Sequence, residues 1–233
     1  MKLAVMQPYL FPYIGYFKLI TTVEKFIFYD DVNFIKKGWI NRNRLFLAGD
    51  IRYITAPLSD ASQFKKINEI TVLPGNIWRK RIIDSMRQSY SKAPFFNEIE
   101  NLVSEVLFLD ENKVGNLAKA SVIAASNYLD INTQFVMTSA AYKNSNMNGA
   151  ARIIDICHQE KSKFYFNLSG GKNLYSEDLF KSENIELHFI EHQPIKYQQL
   201  TNEFYPGLSI IDILMFNDKK TVLEMLQPKI ARS

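Results

Sequence analysis

The sequence is poor in glycine, cysteine and histidine, and each shortage excludes a class of protein. Its 233 residues contain 9 Gly, about half of what an average usage of about 7% would give. Neither G-x-x-x-x-G-K-[ST] nor G-x-G-x-x-G occurs, so neither standard glycine-rich phosphate loop is available. The single Cys157 and the three histidines, His158, His188 and His192, exclude a disulfide framework and the usual four-ligand structural zinc site.

Long apolar runs are also missing. No stretch approaches the roughly 18 uncharged apolar residues of a membrane span, and the proline-interrupted, aromatic N-terminus lacks the features of a signal peptide. We therefore expect a cytoplasmic protein. The hydrophobic content of 47% is typical of a folded globular protein, and the net charge of +4 suits an anionic small molecule. Because no long basic stripe is present, we expect no nucleic-acid partner.

Short apolar runs alternate along the chain with segments of helical periodicity. Strands are predicted at residues 3–6, 25–29, 52–56, 69–73, 133–138, 164–168 and 185–190. Helices are predicted at residues 15–21, 76–90 (capped by Asn76), 98–108, 114–129, 149–158 and 177–182. The alternation predicts an α/β fold, a mostly parallel Rossmann-like sheet with helices on both faces. We expect a single α/β domain over residues 1–233, with residues 76–130 as a helical insertion or subdomain.

The segment after the first predicted strand, QPYLFPYIGYF, is the first candidate site. In open α/β sheets, ligands bind outside the carboxyl ends of the strands, where the first loop meets the first helix. A helix that begins near Gly15 directs its N–H groups and positive dipole end into that crevice, which favours an anion. The residues expected to bind substrate here are Gln7, Pro8, Phe11, Gly15 and Tyr16. The alternative is a turn that the prolines and aromatic rings merely lock against the core.

The second predicted strand ends in Asp30 and Asp31, also at a carboxyl end. Adjacent residues of a continuing strand point to opposite faces, so the two carboxylates would not share one metal ion. If the chain turns there, they could bind Mg²⁺, accept a hydrogen bond from a ribose hydroxyl or act as a base toward an amine, and we expect a catalytic role. The alternative is one helix cap and one solvated charge.

A cationic segment with an aromatic residue follows. Between Asp31 and Asp50 the chain carries four cations and no acid. Lys36 and Lys37 are expected to bind phosphate. The Trp39 ring could stack on a base, and the arginines could form charge-assisted hydrogen bonds with the diphosphate. The residues expected to bind the rest of such a nucleotide are Trp39, Asn41, Arg42, Asn43 and Arg44. A solvated loop is the alternative.

A second candidate anion site follows the strand predicted at residues 164–168. Ser169, Gly170, Gly171 and Lys172 come directly after that strand, and successive N–H groups of a Gly-Gly turn form an anion nest. Lys172 would neutralise a phosphate. A simple strand-to-helix turn would use the same glycines.

Four other residues have weaker signals. His192 is the best general-base candidate of the histidines because it stands at the carboxyl end of the last predicted strand, and a hydrogen-bonded structural histidine is the alternative. Cys157 lies within a predicted helix and is expected in the core. Ser209 and Asp212 have the spacing of a capping box, with Asp in place of the usual Glu, before the buried face of Ile210, Ile211, Ile213 and Leu214.

Four ordered motifs resemble the WbqC-like proteins: QPYLFPYIGYFKLI, FYDDVNFIKKGWINRNR, SGGKNLY and FYPGLSIIDILMFN. The resemblance covers almost the whole chain. It implies a role in bacterial gene clusters for lipopolysaccharide O-antigen and other surface polysaccharides, a pathway more than a reaction. A looser similarity links the first loop and the segment SGGKNLYSEDL to the HIGH-type nucleotidyltransferases and pantothenate synthetases, which use ATP. The paired histidines of those enzymes are absent here, and Phe11, Pro12, Gly15 and Tyr16 stand in their place.

Taken together, the residues and the resemblance predict an enzyme that modifies a nucleotide-linked amino sugar, with acyl transfer to its amino group. The residues do not identify a cofactor, for which ATP and an acyl donor are the candidates, and the expected partner is a nucleotide sugar. An ATP-dependent nucleotidyltransferase or ligase is one alternative, and a non-catalytic scaffold of the polysaccharide machinery is another. No metal ligands are predicted, and the sequence leaves a homo-oligomer open.

Overall fold

A parallel β-sheet forms the centre of the protein, whose computed structural model describes residues 1–59, 61–191 and 194–227. The described strands, in chain order, are β1 (Lys2–Met6), β2 (Lys25–Phe28), β3 (Arg42–Leu47), β4 (Asp50–Thr55), β5 (Gln134–Val136), β6 (Phe164–Leu168) and β7 (Glu186–Ile190). Five of them form the sheet, in the order β5-β2-β1-β6-β7 with every pair parallel. The predicted α/β, Rossmann-like sheet is confirmed.

Helices connect and cover these strands. The described helices are α1 (Ile14–Thr22), α2 (Ile77–Tyr90), α3 (Phe96–Leu107), α4 (Val114–Tyr128), α5 (Gly149–Gln159), α6 (Glu177–Ser182), α7 (Ile210–Phe216) and α8 (Lys219–Leu226). Shorter 3-10 turns occupy Ile67–Glu69, Ser139–Tyr142 and Ser169–Leu174. The first six helices lie close to the six predicted segments. Asn76 occupies the N-cap position of α2, but its side chain makes no capping bond among the described residues.

The two faces of the sheet bury different helices because side chains alternate along each strand. Leu3 and Val5 of β1 pack with residues of α5 and α6, whereas Ala4 packs into the larger core that contains α1 and α4. In β2, Ile27 packs on the side of α5 and α6, and Phe26 packs into the larger core that contains α1 and α4. Helices cover both faces of the inner strands β1 and β2, which are largely buried, and this accounts for their near-continuous apolar character.

A β-hairpin beside the main sheet differs from the predicted elements. β3 was not predicted, and it pairs with β4 in antiparallel register, with Leu47 opposite Asp50. The two turn residues, Ala48 and Gly49, both have positive φ (51° and 81°), as the favoured two-residue hairpin turns require. The sequence RNRLFL alternates between half-buried and buried positions, so the arginines of the supposed loop lie on a strand.

The strand predicted at residues 69–73 was wrong. Residues 67–69 form a 3-10 turn, and the following residues make only single bridges, Leu58 with Val72 and Thr71 with Lys113. The partners come from two different segments, so no continuous ladder forms.

Asp212 has a different role from the predicted capping box. Ser209 caps α7 as expected, since its hydroxyl accepts a hydrogen bond from the N–H of Ile211. The Asp212 carboxylate is buried and accepts hydrogen bonds from the hydroxyls of Tyr90 and Tyr197, each at 2.6 Å, and from the Gln199 amide at 3.3 Å. Burial raises the pKa of Asp212, and these three hydrogen bonds lower it in part. The carboxylate thereby joins α7 to α2, through Tyr90, and to the segment before α7, through Tyr197 and Gln199.

Replacing Tyr197 by Phe is expected to destabilise the protein more at neutral than at acidic pH. The folded-state pKa of Asp212 lies above its unfolded value, so the folded protein binds more protons between the two values, and this group's contribution to stability falls as pH rises through that window. Tyr197→Phe removes a donor to the ionised carboxylate. We expect a loss of about 1–3 kcal/mol at pH 7 and a smaller loss at pH 4, measured by urea unfolding.

Tyr205→Phe is the matched control, because the Tyr205 hydroxyl donates to the exposed Glu203 and the ring is retained. It should leave the unfolding free energy unchanged. An equal loss for Tyr197→Phe at both pH values would show that the Asp212 carboxylate is not the group that Tyr197 stabilises.

Candidate functional site

The order of the strands places a crevice between β1 and β6. The chain runs outward from β1 through β2 to β5, then returns to the other side of β1 and continues through β6 to β7. β1 and β6 are therefore the strands at which the direction of winding reverses, and ligands of open α/β sheets bind at the carboxyl ends of such a pair. Ala4 pairs with Phe166, so the register continued by two residues puts Met6 beside Leu168. The loops that begin at Gln7 and Ser169, predicted from separate motifs, are thus neighbours.

The loop after β1 is held in a strained conformation. Phe11 has φ of 42°, in the left-handed region that a bulky residue rarely adopts. Three elements fix it: its N–H donates to the Ser121 hydroxyl of α4 at 2.8 Å, and its carbonyl accepts from the Asn43 amide of β3 at 2.8 Å and from the Ser209 hydroxyl at 2.7 Å. Backbone strain that the surroundings determine in this way is concentrated at functional sites. The strain at Phe11 therefore makes residues 7–13 a candidate functional loop.

The predicted residues of this loop fall into two groups. The side chains of Phe11 and Tyr16 are fully buried in the core, and Pro8 and Gly15 are buried as well. The Tyr16 hydroxyl donates to the carbonyl of Gln7 at 2.8 Å, so it holds the start of the loop. Gln7 itself is half-buried and stands at the crevice.

The same loop lines part of an aromatic pocket of about 290 Å³. Its lining residues, to which we refer as the aromatic pocket, are Tyr9, Pro12, Tyr13, Trp39, Asn43 and Gly207. Burial raises the pKa of both Tyr9 and Tyr13, so their hydroxyls stay protonated at neutral pH and can donate hydrogen bonds. Neither tyrosine was predicted as a site residue. The proline-aromatic repeat that contains them was the signal available in the sequence.

Arg44 stands at the edge of the aromatic pocket. Its guanidinium lies 5.4 Å from the centre of the Trp39 ring, and it donates to the carbonyl of Gly207 at 3.1 Å. Its Nε is buried and has no hydrogen-bond partner among the described residues. A Cβ on Gly207, whose φ is +71°, would come within 3.2 Å of the guanidinium, so the absence of a side chain there makes room for Arg44.

The remaining residues of the cationic segment serve the hairpin more than the pocket. The Arg42 guanidinium lies 4.3 Å from the centre of the Tyr53 ring and donates to the carbonyls of Gly38, at 3.2 Å, and Lys37. Asn41 donates to the carbonyl of Ala56 at 3.0 Å. Asn43 is buried, and its side chain is occupied by the first loop and the N–H of Arg44. Lys36 and Lys37 are exposed.

Asp30 and Asp31 each form a buried ion pair. The Lys119 ammonium of α4 lies 2.9 Å from Asp30, which also accepts from the Thr138 hydroxyl at 2.7 Å. The Arg152 guanidinium of α5 donates to both oxygens of Asp31 at 2.7 and 2.6 Å. Both carboxylates are below 5% exposed, so the alternative of one cap and one solvated charge is wrong. As their adjacent positions predicted, the two reach helices on opposite faces of the sheet.

Polar side chains extend the Asp31 pair. The Ser139 hydroxyl donates to Asp31, and Arg152 donates to the Asn144 carbonyl oxygen at 2.9 Å. The guanidinium also lies 4.9 Å from the centre of the Tyr29 ring. The carboxyl ends of β2 and β5 are thereby joined by one hydrogen-bonded cluster.

The segment after β6 forms a 3-10 helix over Ser169–Leu174, not the predicted anion nest, since neither of its glycines has a positive φ. A Cβ on Gly171 would come within 3.0 Å of the Asn167 amide, so close packing explains this glycine, whereas Gly170 borders open space. Lys172 reaches Glu191 at the end of β7, at 3.2 Å. His192 lies outside the described residues.

The remaining reactive side chains belong to the core or the sheet surface. Cys157 is buried, as predicted, and burial raises the pKa of its thiol to about 12. His188 stacks on the ring of Phe166, with ring centres 4.8 Å apart. In the described part of the chain, no group of three or more acidic, histidine or cysteine side chains could hold a metal ion. A search of the same residues finds no helix with the length and apolarity to cross a membrane.

These features define an α/β protein of Rossmann-like architecture, with its candidate site at the carboxyl edge of the sheet where the winding reverses. The chain belongs to the WbqC-like protein family, whose model matches residues 7–224. It is similar to "Uncharacterized protein Rv1507c" of Mycobacterium tuberculosis (strain ATCC 25618 / H37Rv). The two are 29% identical over 216 residues, which cover 91% of this chain and 92% of that protein. No solved structure matches the chain.

Asn43→Ala is expected to loosen the first loop selectively. The change leaves the carbonyl of Leu10 without its side-chain donor and removes one of the two donors to Phe11. We expect a loss of about 1–3 kcal/mol in unfolding free energy, together with faster amide exchange in residues 9–12. Asn41→Ala, the control on the same segment, should leave exchange in that loop unchanged. Equal exchange in the two variants would contradict the role assigned to Asn43.

Proposed function

We propose that this protein is an enzyme of O-antigen or other surface polysaccharide synthesis that binds a nucleotide-linked amino sugar and transfers an acyl group to its amino group. The observation that carries the proposal is the meeting of the loops after β1 and β6 at the switch point of the sheet. Family membership supports the pathway, and the chemistry of the surrounding residues supports the class of ligand.

The diphosphate of such a substrate suits the crevice. α1 begins at Ile14 with no acidic residue in its first turn and no side-chain cap, so its N-terminal N–H groups and positive dipole end favour an anion. Ser169 and Gly170 begin the 3-10 helix after β6, and Lys172 of that helix, which pairs with Glu191, would exchange this partner for a phosphate. We assign phosphate binding to these groups, with Gln7 between them.

A ring of the substrate suits the aromatic pocket. Trp39, Tyr9 and Tyr13 provide apolar faces, and the Arg44 guanidinium provides the charge-assisted donor that such pockets use to orient a ligand. The buried, unpartnered Nε of Arg44 supports this role, because buried donors are normally satisfied. Arg42 stacks on Tyr53 and is assigned to the hairpin.

The acyl transfer would join the sugar amine to an acyl carbonyl, with loss of an amine proton and of the donor's leaving group. The sequence predicts Asp30, Asp31 or His192 as the base that takes the proton. Because Asp30 and Asp31 are buried in ion pairs, we assign them to positioning the edge of the sheet. His192 remains the base candidate on the sequence alone. The acyl donor, ATP-derived or a thioester, is left to experiment.

Adenylate formation is the second candidate, supported by the resemblance to HIGH-type enzymes. One observation disfavours it. Phe11 and Tyr16, which stand where the paired histidines would be, are fully buried and cannot contact phosphate through their side chains. Release of pyrophosphate from ATP would favour this candidate. Stabilisation by none of ATP, nucleotide sugars and acyl-coenzyme A in a thermal-shift assay would favour a scaffold.

Arg44→Ala is expected to weaken binding of a UDP- or dTDP-linked amino sugar by about 1–3 kcal/mol, the range for loss of a charge-assisted hydrogen bond. Isothermal titration calorimetry measures the effect. The control is Arg52→Ala, which removes the same charge from an exposed position on β4. Unchanged affinity in Arg44→Ala, or an equal loss in the control, would remove Arg44 and the aromatic pocket from the site.

A further inference from the structure

An apolar groove with an acidic rim shares no lining residue with the aromatic pocket. It has a volume of about 670 Å³ and runs between α3 and α4. We refer to it as the acidic groove, and its lining residues are Glu105, Val106, Leu109, Asp110, Glu111, Asn116, Lys119, Ala120, Ile123, Ala124, Asn127 and Met137. The proposed function uses none of them as a ligand contact.

The floor and sides of the acidic groove are apolar. Ala120, Ile123 and Ala124 form a half-buried apolar strip of α4 at the margin of the core, beside the fully buried face of that helix. Leu109 and Met137 border it with 46% and 48% of their surfaces exposed. Exposed apolar side chains gathered around a concave surface mark an interaction site.

The rim carries charge opposite to that of the whole chain, which has a net charge of +4. Glu105 and Asp110 are exposed and have no ion-pair or hydrogen-bond partner among the described residues. The third rim carboxylate, Glu111, accepts bonds from the N–H of Lys113 and from Asn116. The one lysine of the lining, Lys119, is already paired with Asp30. The rim therefore favours a cationic occupant.

The shape of the acidic groove selects among cationic occupants. Its lining extends along α4 from Asn116 to Asn127, a distance of about 16 Å at a rise of about 1.5 Å per residue. That length matches about three turns of a partner helix. Its half-exposed border would leave much of a small molecule in water, whereas ligand pockets bury most of a ligand's surface.

From this charge and shape we propose that the acidic groove binds a basic amphipathic helix of a partner protein. The apolar face of the helix lies on Ala120, Ile123 and Ala124, and its flanking lysines or arginines face Glu105 and Asp110. This is helix-in-groove recognition with electrostatic complementarity at the rim.

The test uses two labelled synthetic helices of about 14 residues with the same apolar face, one with Lys and one with Glu at every polar position. Fluorescence anisotropy measures their binding to the full chain. We expect the Lys peptide to bind, more weakly as salt is raised, and the Glu peptide to bind at least about tenfold more weakly.

Two variants locate the binding. Glu105→Lys combined with Asp110→Lys, and separately Ala124→Trp, should each weaken the Lys peptide by about tenfold or more. Glu177→Lys combined with Asp178→Lys makes the same charge change at exposed positions on α6 and should keep most of the affinity. Thermal melts check that each variant is folded.

Several outcomes would overturn the proposal. They are no binding of the Lys peptide, equal binding of the Glu peptide, and equal affinity in the groove variants and the α6 control. Displacement of the Lys peptide by a saturating concentration of octylamine would indicate a small apolar amine as the occupant. A dimer in sedimentation that the groove variants abolish would indicate a second copy of this chain.

Discussion

Two consecutive carboxylates at the end of β2 hold the carboxyl edge of the sheet together. Asp30 pairs with Lys119 of α4 and Asp31 with Arg152 of α5, and all four side chains are nearly inaccessible to water. Removing one partner of such a pair costs about 3–5 kcal/mol, whereas replacing a whole pair by apolar residues is often neutral. The pairs are therefore best explained by the arrangement they impose on helices that lie on opposite faces of the sheet.

That arrangement reaches the candidate site through α4. Ser121 lies two residues after Lys119 and accepts the hydrogen bond from the N–H of Phe11. The Asp30–Lys119 pair thus holds α4, Ser121 of α4 holds the strained loop, and that loop lines part of the aromatic pocket. Packed aromatic rings connect the loop to the core. The ring centres of Tyr9 and Tyr16 lie 5.5 Å apart, and those of Tyr16 and Phe26 lie 5.4 Å apart. The abundance of aromatic residues, 13% of the chain, serves this packing as well as the pocket.

The parallel sheet was predictable because short apolar runs alternate along the chain with segments of helical periodicity, as in β1 with α1 and β6 with α6. The position of the two phosphate-binding candidates at strand ends followed from the same pattern. The hairpin was not predicted, because RNRLFL carries its charges on the half-buried face and its basic residues suggested a loop. Its alternation was the overlooked signal.

Long-range side-chain partners could not be predicted from the sequence. The spacing of Ser209 and Asp212 indicated a local cap, whereas in the structure Asp212 accepts a hydrogen bond from Tyr90, 122 residues away. Likewise, nothing near Asp30 in the sequence points to Lys119, 89 residues later. Such pairs depend on which face of each helix packs against the sheet, and local periodicity does not determine which helices become neighbours. The roles of Tyr9 and Tyr13 depend on Trp39 and Gly207, which only the folded chain brings near.

The most direct test of this account is amide hydrogen exchange in the double variant Asp30→Asn with Lys119→Met. The change removes both charges and keeps the volumes similar, so the unfolding free energy should stay within about 2 kcal/mol of the native protein. Exchange in residues 9–13 should nevertheless rise by about tenfold or more, while α2 keeps its native exchange. Native exchange in residues 9–13, or a rise spread evenly over the chain, would contradict the claim that this buried pair positions the loop of the site.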